Sequence, residues 1–259
     1  MIGNNGRGLV LQERDRHLMR ELSVMRVIDR EQVQVVAGFH SVRRANDRLL
    51  ALTRAGTLRR FFLGTTGSGK KAVYGLSKKG AESVDVPNRG PRRKRDETLA
   101  SDAFVQHQLA VNQAYCWLKY RHIPIDGTRF IRWLPFFAPP ATGIALIPDG
   151  YFEIATNSDV MSSFLEVDLG NEGLNIWKAK VQAYLQIAMS GEFERRFHQP
   201  RFRVLVLTNS ERRLQSIRKF VATITERLFW FATFESVHVS GLWSPVWFRP
   251  KGDTRYSLL

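Results

Sequence analysis

The chain has 259 residues, 44% of them hydrophobic, and carries 39 Lys and Arg against 24 Asp and Glu, a formal charge of +15. That is enough apolar material for one large domain or two modest ones, and the charge calls for a polyanionic partner. No apolar run approaches the roughly 18 residues of a membrane span, so no membrane partner is expected. The first seven residues lack the apolar core of a secretory signal, and a cytoplasmic location is expected. The single cysteine, Cys116, excludes an intramolecular disulfide and a cysteine zinc cluster.

The charge is concentrated at one end: residues 1–100 hold 21 Lys and Arg against 10 Asp and Glu, whereas residues 101–259 hold 18 against 14. From Glu13, Leu18, Leu22 and Met25 recur at helical spacing with charges elsewhere, which predicts an amphipathic helix. Residues 30–37 read as a second helix, stopped at Gly38. Ser41 is a good N-cap for a third, with Val42, Ala45, Leu49 and Leu52 facing inward and Gly56 ending it. Its outward face carries Arg43, Arg44, Asn46, Asp47 and Arg48. Arg pairs with guanine and Asn with adenine in the major groove, so this is the chemistry of a recognition helix for double-stranded DNA.

Residues 57–63 and 72–76 alternate as strands, joined by a Gly- and Ser-rich tip that places Lys70 and Lys71 within reach of phosphate. Helix, helix, helix, hairpin is the order of a winged helix-turn-helix, assigned to residues 10–86. Gly64-Thr65-Thr66-Gly67-Ser68-Gly69-Lys70 satisfies G-x-x-x-x-G-K, but Lys71 stands where Ser or Thr would hold magnesium and a strand follows instead of a helix. No nucleotide cofactor is therefore expected. Residues 87–100 read as an exposed basic linker whose Arg92, Arg93, Lys94 and Arg95 either track a DNA backbone or are simply solvated.

Residues 101–250 read as a second domain. A helix at 101–120 leads to strands around 129–137, 144–155 and 163–169, a helix at 174–189, a strand at 202–208, a helix at 210–228 and a last strand near 237–240. The order α-β-β-β-α-β predicts a mixed sheet with helices packed on it, an α/β (α+β) fold. Asp149 opens one strand, and period-two geometry puts Glu166 and Asp168 on one face of the next. Lys180 shares a helical stripe with Ile176, Ala183, Tyr184 and Ile187 and projects toward those acids. Carboxylates and a lysine converging at a strand end can bind Mg²⁺ or Mn²⁺ and stabilise a phosphorane; structural ion pairs are the other reading. The aromatic run 229–231, with Trp243 and Trp247, reads as core or as the surface of a homodimer, and the basic helix bearing Arg212, Arg213, Arg218 and Lys219 as a solvated face.

Pro148-Asp149-Gly150, followed by Phe164-Leu165-Glu166-Val167-Asp168, resembles the PD-(D/E)xK superfamily of restriction-endonuclease-like folds. The resemblance implies Asp149 and Glu166 as metal ligands and puts Asp168 where the motif has lysine. Members with the lysine on the next helix are known, and Lys180 fits that place. More narrowly, the chain resembles the replication-relaxation family of plasmid-associated proteins. The matching segments are ERDRHLMREL at residues 13–22, RRANDRLLALTRAG at 43–56, YGLSKKGA at 74–81, HQLAVN at 107–112, EVDLGNE at 166–172, KVQAY at 180–184 and VLVLTNSERR at 204–213. This implies a role in plasmid or mobile-element replication and DNA processing, with replication or mobilisation proteins as partners. Two readings of the second domain stay open: a metal-dependent endonuclease, or a non-catalytic regulator whose nuclease-like fold is a scaffold for dimerisation or protein contacts.

Overall fold

The computed structural model describes residues 9–64, 69–99, 101–140 and 143–259, so the predicted hairpin tip at residues 65–68 lies outside the described residues. The fold is mixed α/β with two mixed sheets. The chain divides into two compact units, Met1–Cys116 and Trp117–Leu259.

In the first unit α1 (Glu13–Met25), α2 (Arg30–Val36) and α3 (Val42–Arg54) precede the antiparallel hairpin of β2 (Leu58–Gly64) and β3 (Lys70–Leu76). Helix α3 begins where expected: the Ser41 hydroxyl accepts a hydrogen bond from the Arg44 N–H, satisfying a donor that the first turn leaves without a helical partner. Ala45, Leu49 and Leu52 are buried, whereas Val42, read as inward-facing, is 46% exposed at the first position of the helix. Two-residue β1 (Ile28–Asp29) pairs with β3 on the side away from β2. A short helix not anticipated from sequence, α4 (Lys78–Ser83), follows the hairpin with Ser77 as its N-cap. It lies so close to the start of β2 that a Cβ on Gly80 would stand 2.0 Å from the Thr57 carbonyl oxygen, which only glycine allows.

The end of the segment read as an exposed linker, residues 96–99, joins this sheet, whereas Arg92, Lys94 and Arg95 stay exposed. The Asp96 N–H donates to the Arg60 carbonyl and the Phe62 N–H to the Glu97 carbonyl, leading into β4 (Thr98–Leu99), which pairs parallel to β2. The division of the chain falls inside α5 (Ala103–Lys119) rather than at residues 87–100. The reason is in its first turns: Val105 and Leu109 join Val27, Phe61, Leu63 and Val73 in one apolar cluster. The Asn112 side-chain amide donates to the carbonyls of Met25 and Val27, closing the C-terminal end of α1.

In the second unit β5 (Arg129–Leu134), β6 (Gly150–Ala155) and β7 (Val160–Asp168) form an antiparallel meander. Helices α6 (Leu174–Met189) and α7 (Glu192–Phe197) then carry the chain to β8 (Arg203–Thr208), parallel to β7. The predicted α-β-β-β-α-β order is present, with α7 as an unforeseen addition. β7 is an interior strand, and its buried residues on both faces give the near-continuous buried run expected of a covered strand. Phe164 on β7 sits among Tyr151, Tyr184, Phe193, Phe197 and Phe202.

The C-terminal third departs from the sequence reading. The basic helix α8 (Glu211–Ala222) ends six residues before the expected 228, and the aromatic run is strand β9 (Phe229–Thr233), parallel to β8. The strand expected at 237–240 is helix α9 (Phe234–Ser240). Thr233 and Ser236 form a reciprocal capping box that starts a helix there. Short β10 (Trp247–Phe248) and β11 (Arg255–Tyr256) complete the order β11-β10-β9-β8-β7-β6-β5. Trp243, Trp247 and the 229–231 run are buried core. Among the described residues no helix is long and apolar enough to cross a membrane.

Candidate functional site

Two clusters of charge stand out, one in each unit. In the first, Arg43, Arg44, Asn46 and Asp47 are exposed on the N-terminal half of α3, with Arg43 and Asp47 only loosely paired at 3.9 Å. Arg48, expected beside them, turns back to α1. Its guanidinium binds Asp15 through two hydrogen bonds and also the Val10 carbonyl, so it braces α3 against α1. Lys71 is likewise engaged, 2.6 Å from Asp29, whose carboxylate also caps α2 through the Gln32 N–H. Lys70 is exposed at the first position of β3, not at the head of a helix as a phosphate-cradling loop would need. Of the basic run, Arg93 is bound to Asp102 and Arg95 lies 3.7 Å from Asp96, while Arg92 and Lys94 are exposed.

In the second unit the antiparallel register sets Gly150 opposite Leu165, which places Asp149 just ahead of β6 and beside the end of β7. Gly150 is required because the Trp133 ring covers it; a Cβ there would stand 2.2 Å from the ring. One Asp149 oxygen accepts the Val167 N–H at 2.7 Å. Glu166, 1% exposed, accepts from the Lys180 ammonium at 2.8 Å through one oxygen and from the Tyr184 hydroxyl through the other. Lys180 also bridges to Glu172 at 2.8 Å. Asp168 accepts from the Trp177 indole and the Gly170 N–H, each at 2.7 Å, and receives a two-pronged pair from Arg213 at 2.8 and 2.6 Å.

The local logic is periodic. Trp177, Lys180 and Tyr184 fall at i, i+3 and i+7 on α6, one face, and meet Glu166 and Asp168, two apart on β7. Lys180 thus points where the sequence indicated, although Ile176 of the expected stripe is 48% exposed and Trp177 takes the inward place. Glu172 was given no role in the sequence reading. Arg213 and Arg218 were read as solvated, yet Arg213 closes on Asp168, and the guanidinium of Arg218 donates to the Arg249 carbonyl.

The electrostatics separate the two acids. Burial pushes the Glu166 carboxyl up to about 7, with Asp149 adding to the rise and the Lys180 ammonium opposing it. Burial works against the Lys180 charge, but Glu166, Asp149 and Glu172 outweigh it and hold the ammonium above its ordinary range. Burial, and then the neighbouring Glu166, raise the Tyr184 hydroxyl well above its usual value. Burial would lift Asp168 too, but the bonds from Arg213, Trp177 and Gly170 outweigh it and keep that carboxyl below the usual range. Asp168 is thereby committed to an ion pair. The resemblance to metal-dependent nucleases asks whether Asp149 and Glu166 suit a divalent ion. Both Glu166 oxygens are engaged, so an ion held there would have to displace Lys180 or Tyr184.

Residues 19–199, from within α1 to just past α7, match the replication-relaxation family. The chain belongs to the replication-relaxation family. The matched span includes α3 with its exposed arginines and the Asp149, Glu166 and Lys180 cluster, and leaves out Arg213. No curated protein matches the chain. Among solved structures, the restriction endonuclease FokI bound to DNA is similar with 10% identity and a TM-score of 0.34 over 88% of this chain and 44% of that one. A second FokI structure is similar with 12% identity and a TM-score of 0.31 over 93% and 46%. The replication-relaxation chain spans under half the length of these structures.

Proposed function

We propose that this protein binds double-stranded DNA through its first unit, acting as a winged helix-turn-helix in plasmid or mobile-element replication and DNA processing. One observation carries the reading. Helix α3 buries Ala45, Leu49 and Leu52 while Arg43, Arg44 and Asn46 stand exposed on its N-terminal half, the part of a recognition helix that meets base edges. The family's description and the excess of basic residues in 1–100 support it. Fluorescence anisotropy of the full chain with labelled duplex DNA is the test. Affinity should fall steeply with salt and should drop in the Arg43→Ala/Arg44→Ala variant. Unchanged affinity in that variant would remove α3 as the reading element.

For the second unit the favoured reading is a non-catalytic scaffold, serving dimerisation or contacts with replication or mobilisation proteins. Its support is that Glu166 and Asp168 are each saturated by basic and hydrogen-bonding partners from α6 and α8. The convergence of Asp149, Glu166 and Lys180 favours a second reading, a Mg²⁺- or Mn²⁺-dependent endonuclease, which would require Lys180 to leave Glu166. Supercoiled plasmid incubated with either ion should stay intact. Nicking that disappears in Glu166→Ala would establish the nuclease instead.

A further inference from the structure

At the opposite end of the second unit's sheet from Glu166 lies a cavity of about 830 Å³. It opens where β7, β8 and β9 begin; Glu166 lies six residue steps along β7 from Val160 at its rim, about 20 Å at the rise of a strand. The charged side chains that line it are one-sided: Arg201, Arg203, Arg227 and Arg249 against Asp159. Asp159 is taken by Arg201 at 2.7 Å, at the exposed margin.

The inner arginines are arranged around an aromatic ring. The Arg203 and Arg249 guanidinium carbons stand 4.6 and 4.7 Å from the Trp230 ring centroid. Arg203 donates to the Leu258 carbonyl at 2.6 Å. The Arg249 Nε–H is buried and has no hydrogen-bond partner among the described residues. Burial, and then the like charges of Arg249 and Arg201, hold the Arg203 guanidinium below its ordinary range. Like charges so gathered cost stability unless an anion joins them, and a buried donor left unmade is costly as well. A planar, fork-shaped guanidinium suits the oxygens of a phosphate group, which can receive two N–H bonds from each fork. Trp230 is itself only 7% exposed, covered by the arginines and by Tyr256, so the ring holds the guanidiniums in place and does not stack on a base.

We propose that this cavity is a phosphate-binding site, in which the guanidiniums of Arg203 and Arg249 clasp inorganic phosphate or the phosphate of a nucleotide. The site is separate from α3 and does not rest on the DNA-binding reading. Isothermal titration calorimetry of the full chain with inorganic phosphate, with thymidine 5′-monophosphate and with thymidine tests it. Phosphate and the monophosphate should bind and thymidine should not. Tighter binding of the monophosphate identifies a nucleotide as the ligand, and equal binding identifies phosphate alone. Arg249→Gln should weaken both by about tenfold or more, as expected when one charge-assisted hydrogen bond is removed. Arg249→Lys, which keeps the charge but not the fork, should weaken them less, with the melting curve of each variant confirming its fold. Arg212→Ala, which removes an exposed charge on α8 of the same unit, should bind both ligands as the parent does. The absence of heat with both phosphate and the monophosphate, or an Arg249→Gln variant that binds as tightly as the parent, overturns the proposal.

Discussion

The two charged clusters of this chain use the same residue types in opposite ways. On α3 Arg43 is 91% exposed at its side chain and touches its acid only loosely, whereas Arg213 is 17% exposed and grips a fully buried Asp168. An exposed guanidinium costs the fold little and stays available to an outside anion. A buried one has exchanged water for a carboxylate and is bound to the architecture. The difference teaches that the arginine count of a basic protein says little about its binding surface until each arginine's partner is known. Arg48 and Arg93 show this within the first unit, since both are spent on Asp15 and Asp102.

The two clusters differ most in what they contribute to stability. Arg213→Ala strands Asp168 as an uncompensated buried charge and should cost about 3–5 kcal/mol, measured by urea denaturation, whereas Arg44→Ala should stay within about 0.5 kcal/mol. Equal, small losses would mean that the Asp168 pair is no stronger than a surface pair.

A second, smaller effect separates the two buried acids by pH. Glu166 is raised in the folded protein, from an ordinary 4.5 to about 7, so between those values the native state holds more protons than the unfolded chain and stability falls as pH rises. Asp168 is lowered, so its contribution is present above its unfolded value and is lost as pH falls through its folded one. Urea midpoints at pH 5 and pH 7.5 should therefore differ less in Glu166→Gln than in the parent. If the two proteins give parallel profiles, Glu166 titrates alike folded and unfolded.

The smallest effect sharpens the first unit's side of the comparison. Neutralising Lys70 or Lys94, both exposed, should flatten the dependence of log K for DNA on log salt by about 0.9 for each phosphate no longer neutralised. Neutralising Arg93, held by Asp102, should leave the slope as it was. Slopes that shift equally for all three would show that Arg93 exchanges its partner for DNA.

Much of this was legible in the sequence, and the exceptions have two causes. Helix α6 has the predicted bounds of residues 174–189 because its periodicity runs uninterrupted for four turns. The alternation in 164–168 correctly put Glu166 and Asp168 on one face. Residues 222–240 failed because a five-residue buried strand has no periodicity to distinguish it from helix: the helix was run on to residue 228, and Phe229–Thr233 was not recognised as a strand. Thr233 followed three residues later by Ser236 was a local signal for α9, weaker than a Glu or Gln partner would have made it. Glu172 and Arg213 were beyond reach for another reason. One sits in the turn before α6 and the other lies 45 residues from Asp168, and neither spacing follows from any element's period.

The segment from Asp96 to Leu99 has a consequence for how the first unit keeps to itself. By lying parallel along β2 it occupies backbone donors and acceptors that would otherwise form an open strand margin. An open margin is a template on which a second chain can add its own strand. Ordinary turn-forming and charged residues therefore do here what a longer protective strand does elsewhere, and Arg60 pairing with Asp96 fastens them in register.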